Sequence, residues 1–203
     1  MSVLVSYDEQ GRRLERREGT EAIARALAGL GVDFERWEAD RPLGPEATQE
    51  EILEAYAGPV RRLMERHGFR SADVVALGPE HPDRERLRAQ FLGEHTHEDF
   101  EVRCFVRGRG LFFLHDAGGG RVHAVLCGQG DLISIPAGTP HWFDMGARPE
   151  LQCIRLFTTP EGWVARYTGS DIARRFPTLE AFLEAEAVAP GAGAAGTVRE
   201  GAA

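Results

Sequence analysis

The sequence predicts an all-β core, a barrel or jelly roll of short strands, with several α-helices flanking it on the N-terminal side. Three observations carry this. From about residue 94 to 157, apolar runs alternate with Gly-rich bends at 108–110, 117–120 and 128–130, the pattern of strand, turn and strand. Before that stretch, apolar residues recur at helical spacing between start and stop signals. A length of 203 residues suits one domain with a sizeable core, read here as residues 1–187 with the barrel at about 91–170.

In chain order, residues 3–7 (VLVSY) read as a short strand and residues 21–30 as an amphipathic helix ended by Gly31. Thr48 and Glu51 have capping-box spacing, so a helix is expected to open there and run through Ile52, Leu53 and Tyr56. Pro59 lacks an N–H and is expected to interrupt it before it resumes to about His67. Residues 71–77 look extended, and residues 83–91 helical. The helices are thus expected to precede the sheet. Residues 179–187 form a last helix. The Ala- and Gly-rich residues 188–203 bury too little apolar area to offset their ordering entropy and are expected to be disordered.

Composition narrows the function. The chain carries 32 acidic against 24 basic side chains, every basic one an arginine, for a formal charge of −8. That balance disfavours a nucleic-acid partner. No membrane span or signal peptide is expected. Cys104, Cys127 and Cys153 are odd in number and lack Cys-x-x-Cys spacing, which argues against a disulfide framework or a zinc finger and for a cytoplasmic protein with free thiols.

The chemistry is carried by two short stretches. In GEHTHEDFEVR, residues 94–106 read as one strand, which places the odd-numbered His95, His97, Glu101, Arg103 and Phe105 on one face. A helix would set His95 and His97 about 200° apart. The turn at 107–110 and the apolar run 111–114 then suggest a hairpin. In the second stretch, residues 131–135 form a strand, and the turn Pro136-Ala137-Gly138-Thr139-Pro140 delivers His141 at a fixed point beyond it. Three imidazoles and a carboxylate are a ligand set for a first-row divalent transition metal. One His-x-His pair is weak evidence, since seven histidines in 203 residues give roughly 0.24 by chance. The whole pattern of ligands, glycines and prolines is not a coincidence of that kind. His67, His81, His115 and His123 are read as structural.

At these residues the chain resembles the cupin superfamily. His95, His97, Glu101 and Gly108 match its first motif, and Gly130, Pro136, Gly138 and His141 its second, with Ala89 and Met145 departing at positions that bear no ligand. The longer runs, from Phe91 through Arg103, Ile135 through Asp144, Ile154 through Phe157 and Pro160 through Trp163, are similar to the acireductone dioxygenase family of methionine salvage. Phe100 stands where that family carries an acidic residue. Being even-numbered, it is expected to face away from the metal as a packing change.

The resemblance implies a cupin β-barrel or jelly roll holding one Fe(II) or Ni(II) per chain on His95, His97, Glu101 and His141, with two coordination positions open. It implies an acireductone substrate, 1,2-dihydroxy-3-keto-5-methylthiopentene, cleaved by O₂. With iron the products are 4-methylthio-2-oxobutanoate and formate; with nickel they are 3-methylthiopropionate, formate and carbon monoxide. Arg103 and Arg155 are expected to neutralise the enediolate, and Phe91, Phe143 and Trp163 to wall its methylthio end. Glu98 and Asp99 are read as solvated charge. The expected partners are the small-molecule substrate and O₂, with no nucleic acid and no membrane, and the protein a monomer. A sugar-phosphate isomerase, another small-molecule dioxygenase or a non-enzymatic ligand-binding cupin would share the fold. The first should present Lys or Arg for phosphate around the metal, yet there is no lysine and most arginines lie outside the motifs.

Overall fold

The structure is a computed structural model that describes residues 2–159 and 164–188. Its strands are β1 (Val3–Asp8), β2 (Arg13–Glu18), β3 (Asp33–Arg36), β4 (Ser71–Leu77), β5 (His95–Thr96), β6 (Glu101–Asp116), β7 (Arg121–Gly128), β8 (Asp131–Ile135), β9 (His141–Asp144), β10 (Leu151–Phe157) and β11 (Arg166–Tyr167). The helices are α1 (Thr20–Leu27), α2 (Gln49–Ala55), α3 (Ala57–His67), α4 (Arg84–Phe91) and α5 (Leu179–Val188).

The strands pair antiparallel in two sheets that share β6, one ordered β2-β1-β7-β6-β9-β5-β11 and the other β3-β8-β6-β10-β4. The expected jelly roll is present, but its edges do not join into a closed hydrogen-bonded cylinder. Between the sheets lies a core that includes Leu4, Phe105, Phe112, Leu114, Val125, Ile133, Ile135 and Phe143, with Ile23 and Leu27 of α1 filling one side. The outer face of the first sheet (Val5, Phe113, Trp142) is covered by Phe176, Leu179 and Phe182. That of the second (Val102, Cys104, Ile154, Leu156) is covered by Ile52, Tyr56, Val60 and Leu63 of α2 and α3. The central strands are therefore buried on both faces and read as apolar runs rather than as alternating sequence.

Several expectations are corrected. Residues 94–106 are not one strand: β5 ends at Thr96, residues 97–100 leave the sheet, and β6 begins at Glu101. Nor is there a hairpin at 107–110, because β6 runs straight through to Asp116. Its first half pairs with β8 and β10, its second with β7 and β9. Gly108 marks the crossing. Its φ is +74°, and a Cβ there would lie 1.5 Å from the Glu150 carbonyl oxygen, so only glycine lets the strand change sheets against that loop. Phe100 lies outside the strand, in the excursion between β5 and β6, and is 41% exposed.

The helices do not simply precede the sheet, since β1 to β4 are interleaved with them. Among the described residues, the charged strand β2 (RLERRE) pairs with β1 alone at the edge of its sheet, and it carries no alternating apolar signal. The capping box at Thr48 and Glu51 is present, with both reciprocal hydrogen bonds. The break between α2 and α3 falls at Tyr56 rather than at Pro59. Tyr56 has φ −107° and ψ 15°, while Pro59 sits in the first turn of α3, where a missing N–H breaks no helical bond. Val188 belongs to α5, and residues 189–203 of the expected tail lie outside the described residues.

Candidate metal centre

Four different pieces of backbone bring the four predicted ligands together. His95 opposes His141 directly across β5 and β9. Glu101 opens β6 opposite Ile135, the last residue of β8. His97 lies in the excursion between β5 and β6, and its carbonyl accepts a 2.9 Å hydrogen bond from Gly138 N–H. The Pro-Gly-Pro turn that carries His141 thus also props His97. Ligand atoms of all four residues lie within 4.8 Å of one another, and all four side chains are buried. The ring centroids of the three imidazoles stand 4.5–5.1 Å apart.

The hydrogen bonds select which nitrogen faces the centre. Nδ1 of His95 donates to Gly93 O at 2.7 Å, Nδ1 of His141 to Thr139 O at 2.8 Å and Nδ1 of His97 to Val164 O at 3.3 Å. With Nδ1 committed to a carbonyl in each ring, Nε2 is the atom presented inward. Glu101 is divided in the same way. Its Oε1 accepts from Arg103 Nε at 3.1 Å, and its Oε2 lies 2.8 Å from Nε2 of His97 and 3.0 Å from Nε2 of His141. A divalent ion fits this donor set, taking the place of the protons shared between the imidazoles and Oε2.

Burial pulls His95 down to about 4, with the neighbouring His141 adding to the effect, so it is a neutral donor. Burial alone would raise Glu101, but the charge of Arg103 and the bonds from His141 and His97 outweigh it and hold the carboxylate well below its ordinary range. Burial would likewise lower His141, yet its hydrogen bond and charge interaction with Glu101 raise it.

The other predicted residues divide. Arg103 meets Glu101 and lies 5.6 Å over the ring of Phe143. Phe143 packs on Phe112 at 4.6 Å and edge-on to Phe91 at 6.3 Å, forming an aromatic wall beside the cluster. Gly110 makes room for it, since a Cβ there would come within 2.2 Å of Phe143 Cζ. Arg155 opposes Arg103 across β10 and β6 and shares its face, and it is held by both oxygens of Asp73. Trp163 lies outside the described residues. Glu98 pairs with Arg166 at 2.6 Å, and Asp99 accepts from the backbone and hydroxyl of Thr158.

Sequence reasoning missed the residues behind the ligands. Glu94 is buried; its Oε1 accepts from His115 Nδ1 and its Oε2 from Thr168 Oγ1, both at 2.6 Å. Tyr167 opposes His95 on β11, with its ring 5.9 Å away. A buried glutamate next to a ligand was the available clue, but its partners are 21 and 74 residues distant.

An antiparallel two-sheet fold whose inner face gathers three imidazoles and a carboxylate is that of a metal-dependent cupin enzyme. The model of the ARD/ARD' family matches residues 3–165, and the chain belongs to that family. It is 59% identical over 186 residues to the acireductone dioxygenase of Methylococcus capsulatus, covering 91% of this chain and 98% of that one. It is 52% identical over 180 residues to that of Aquifex aeolicus, covering 89% and 97%. Among solved structures, acireductone dioxygenase from Bacillus anthracis with a cadmium ion in its active centre superposes with a TM-score of 0.73 at 29% identity. That match covers 82% of this chain and 98% of the other.

Proposed function

We propose that this protein is an acireductone dioxygenase that holds Fe(II) or Ni(II) on Nε2 of His95, His97 and His141 and on Oε2 of Glu101. The observation that carries the reading is the convergence of those four atoms, each with its second polar atom already committed. The bound ion supplies Lewis acidity and a template for a chelating enediolate. The chain's own residues do the rest. Arg103 places a guanidinium beside the carboxylate ligand, where it offsets the negative charge of the incoming dianion. Phe91 and Phe143 give the carbon side chain an apolar wall and keep water from the reacting carbons. Arg155, on the same face one strand further out, adds positive potential tempered by Asp73.

In the balanced reaction, one acireductone and one O₂ give 4-methylthio-2-oxobutanoate and formate with iron. With nickel they give 3-methylthiopropionate, formate and carbon monoxide. We further read residues 1–187 as one domain, acting as a cytoplasmic monomer whose partners are substrate and O₂. Among the described residues no helix is long and apolar enough to cross a membrane. Product analysis of protein reconstituted separately with each metal tests the proposal. Carbon monoxide from the nickel form alone is expected, and identical products from both forms would refute the metal-controlled outcome.

A further inference from the structure

Four of the five residues 164–168 are tied to a ligand or to its sequence neighbour. Val164 O accepts from His97 Nδ1, Arg166 pairs with Glu98 and Tyr167 lies across from His95. Thr168 donates its N–H to Glu94 O at 3.1 Å and its hydroxyl to Glu94 Oε2. Glu94, 4% exposed, is anchored in turn by His115. A two-residue strand has little stability of its own, so these side-chain ties fix its position.

What they hold in place is Tyr167. Directly opposed residues of antiparallel strands share a face, so His141, His95 and Tyr167 form one row on the metal-facing side. The Tyr167 ring stands edge-on to His95, and its hydroxyl donates to Gln90 O at 3.1 Å. Gly93 leaves room for it, because a Cβ there would come within 3.1 Å of the ring. Yet the residue is 56% exposed, so core packing does not account for an aromatic ring pinned this way. Gln90 adjoins Phe91, and Phe91 meets Phe143. Tyr167 thus stands at the surface end of the row that begins at His141, its hydroxyl tied to the residue that precedes Phe91.

We propose that Tyr167 is a specificity-determining residue whose ring forms the outer wall along which the carbon side chain of the substrate lies. This rests on the acireductone reading above. An apolar contact of that kind discriminates by side-chain length, at roughly tenfold for the loss of such a surface.

The test compares two acireductones, one with the methylthioethyl side chain and one with a single methyl, on metal-loaded wild type, Tyr167→Ala, Tyr167→Leu and Tyr167→Phe. Metal content is checked for each protein. The readouts are steady-state O₂ consumption and anaerobic substrate binding followed by enediolate absorbance. Tyr167→Ala should raise KM and weaken anaerobic binding roughly tenfold for the long substrate, with kcat and the short substrate little changed. Tyr167→Phe should keep the wild-type ratio, and Tyr167→Leu should fall between. Wild-type turnover with an unchanged long-to-short ratio in Tyr167→Ala and Tyr167→Leu would overturn this inference alone. Absence of turnover of either acireductone by the metal-loaded wild type would overturn the functional reading and this one with it.

Discussion

Substitution of Arg103 by methionine removes the charge facing Glu101 while keeping most of the side-chain volume. The two groups meet at 3.1 Å with side chains only 3% and 4% exposed, so water cannot take the place of the guanidinium. Removing one partner of a buried pair costs about 3–5 kcal/mol, because the other is left without compensation. In the metal-free variant Glu101 retains the bonds from His97 and His141, which places the expected loss at the lower end, about 3 kcal/mol. A bound divalent ion supplies the missing positive charge, so the metal-loaded variant should lose less. By linkage, metal must then stabilise the variant more than it stabilises the wild type. Urea unfolding of both proteins, stripped and with excess Ni(II), measures the four stabilities. Turnover should fall about 100-fold even at full metal occupancy, since charge opposing the enediolate is gone. A metal-free Arg103→Met protein as stable as wild type would refute the claim that Arg103 compensates Glu101, and undiminished turnover would remove it from the reaction.

Gly110→Ala should drive a methyl group into Phe143, whose ring is wedged between Phe112 and Phe91 and cannot swing away; a loss of about 1–3 kcal/mol by urea denaturation is expected. Asp144 is fully buried and accepts from Arg88 Nε and Nη2, Gly146 N and Leu179 N, so Asp144→Ala should cost about 3–5 kcal/mol and be visible as a large fall in Tm, with Asp144→Asn intermediate. Metal affinity should depend on pH with a definite sign. The raised pKa of His141, caused by its bond and charge interaction with Glu101, means that the metal-free protein holds a proton there to higher pH than an ordinary imidazole would, and metal binding must release it. Affinity should therefore climb with pH by up to about tenfold per unit below that pKa and level off above it. His95, already neutral down to about 4, adds nothing to this window. A Ni(II) competition titration from pH 5.5 to 8.5 that comes out flat would contradict it.

The four ligands were legible because their residue types are chemically specific and sit at recognisable distances from turn-forming Gly and Pro. Their convergence nonetheless differs from what a single uninterrupted strand would give. His95, His97 and Glu101 converge because the chain leaves the sheet between residues 97 and 100, not because they share one strand. Helices with caps were legible, as at Thr48 and Glu51, since the signal is local. Strands β2 and β3 were not, because an edge strand rich in charge has no apolar pattern to read. Gly108 looked like a hairpin turn because its left-handed backbone serves equally for a strand that changes sheets. The supports behind the ligands, Glu94, His115, Val164 and Thr168, are held together by contacts between distant segments that no local pattern records.

The most direct test of the account is an oxygen-electrode trace of the acireductone with chelator-stripped protein, before and after one equivalent of Fe(II) is returned. Only the uncatalysed background is expected before addition, and rapid uptake of one O₂ per acireductone after it. An unchanged trace after addition, in protein shown to have bound the iron, would contradict it.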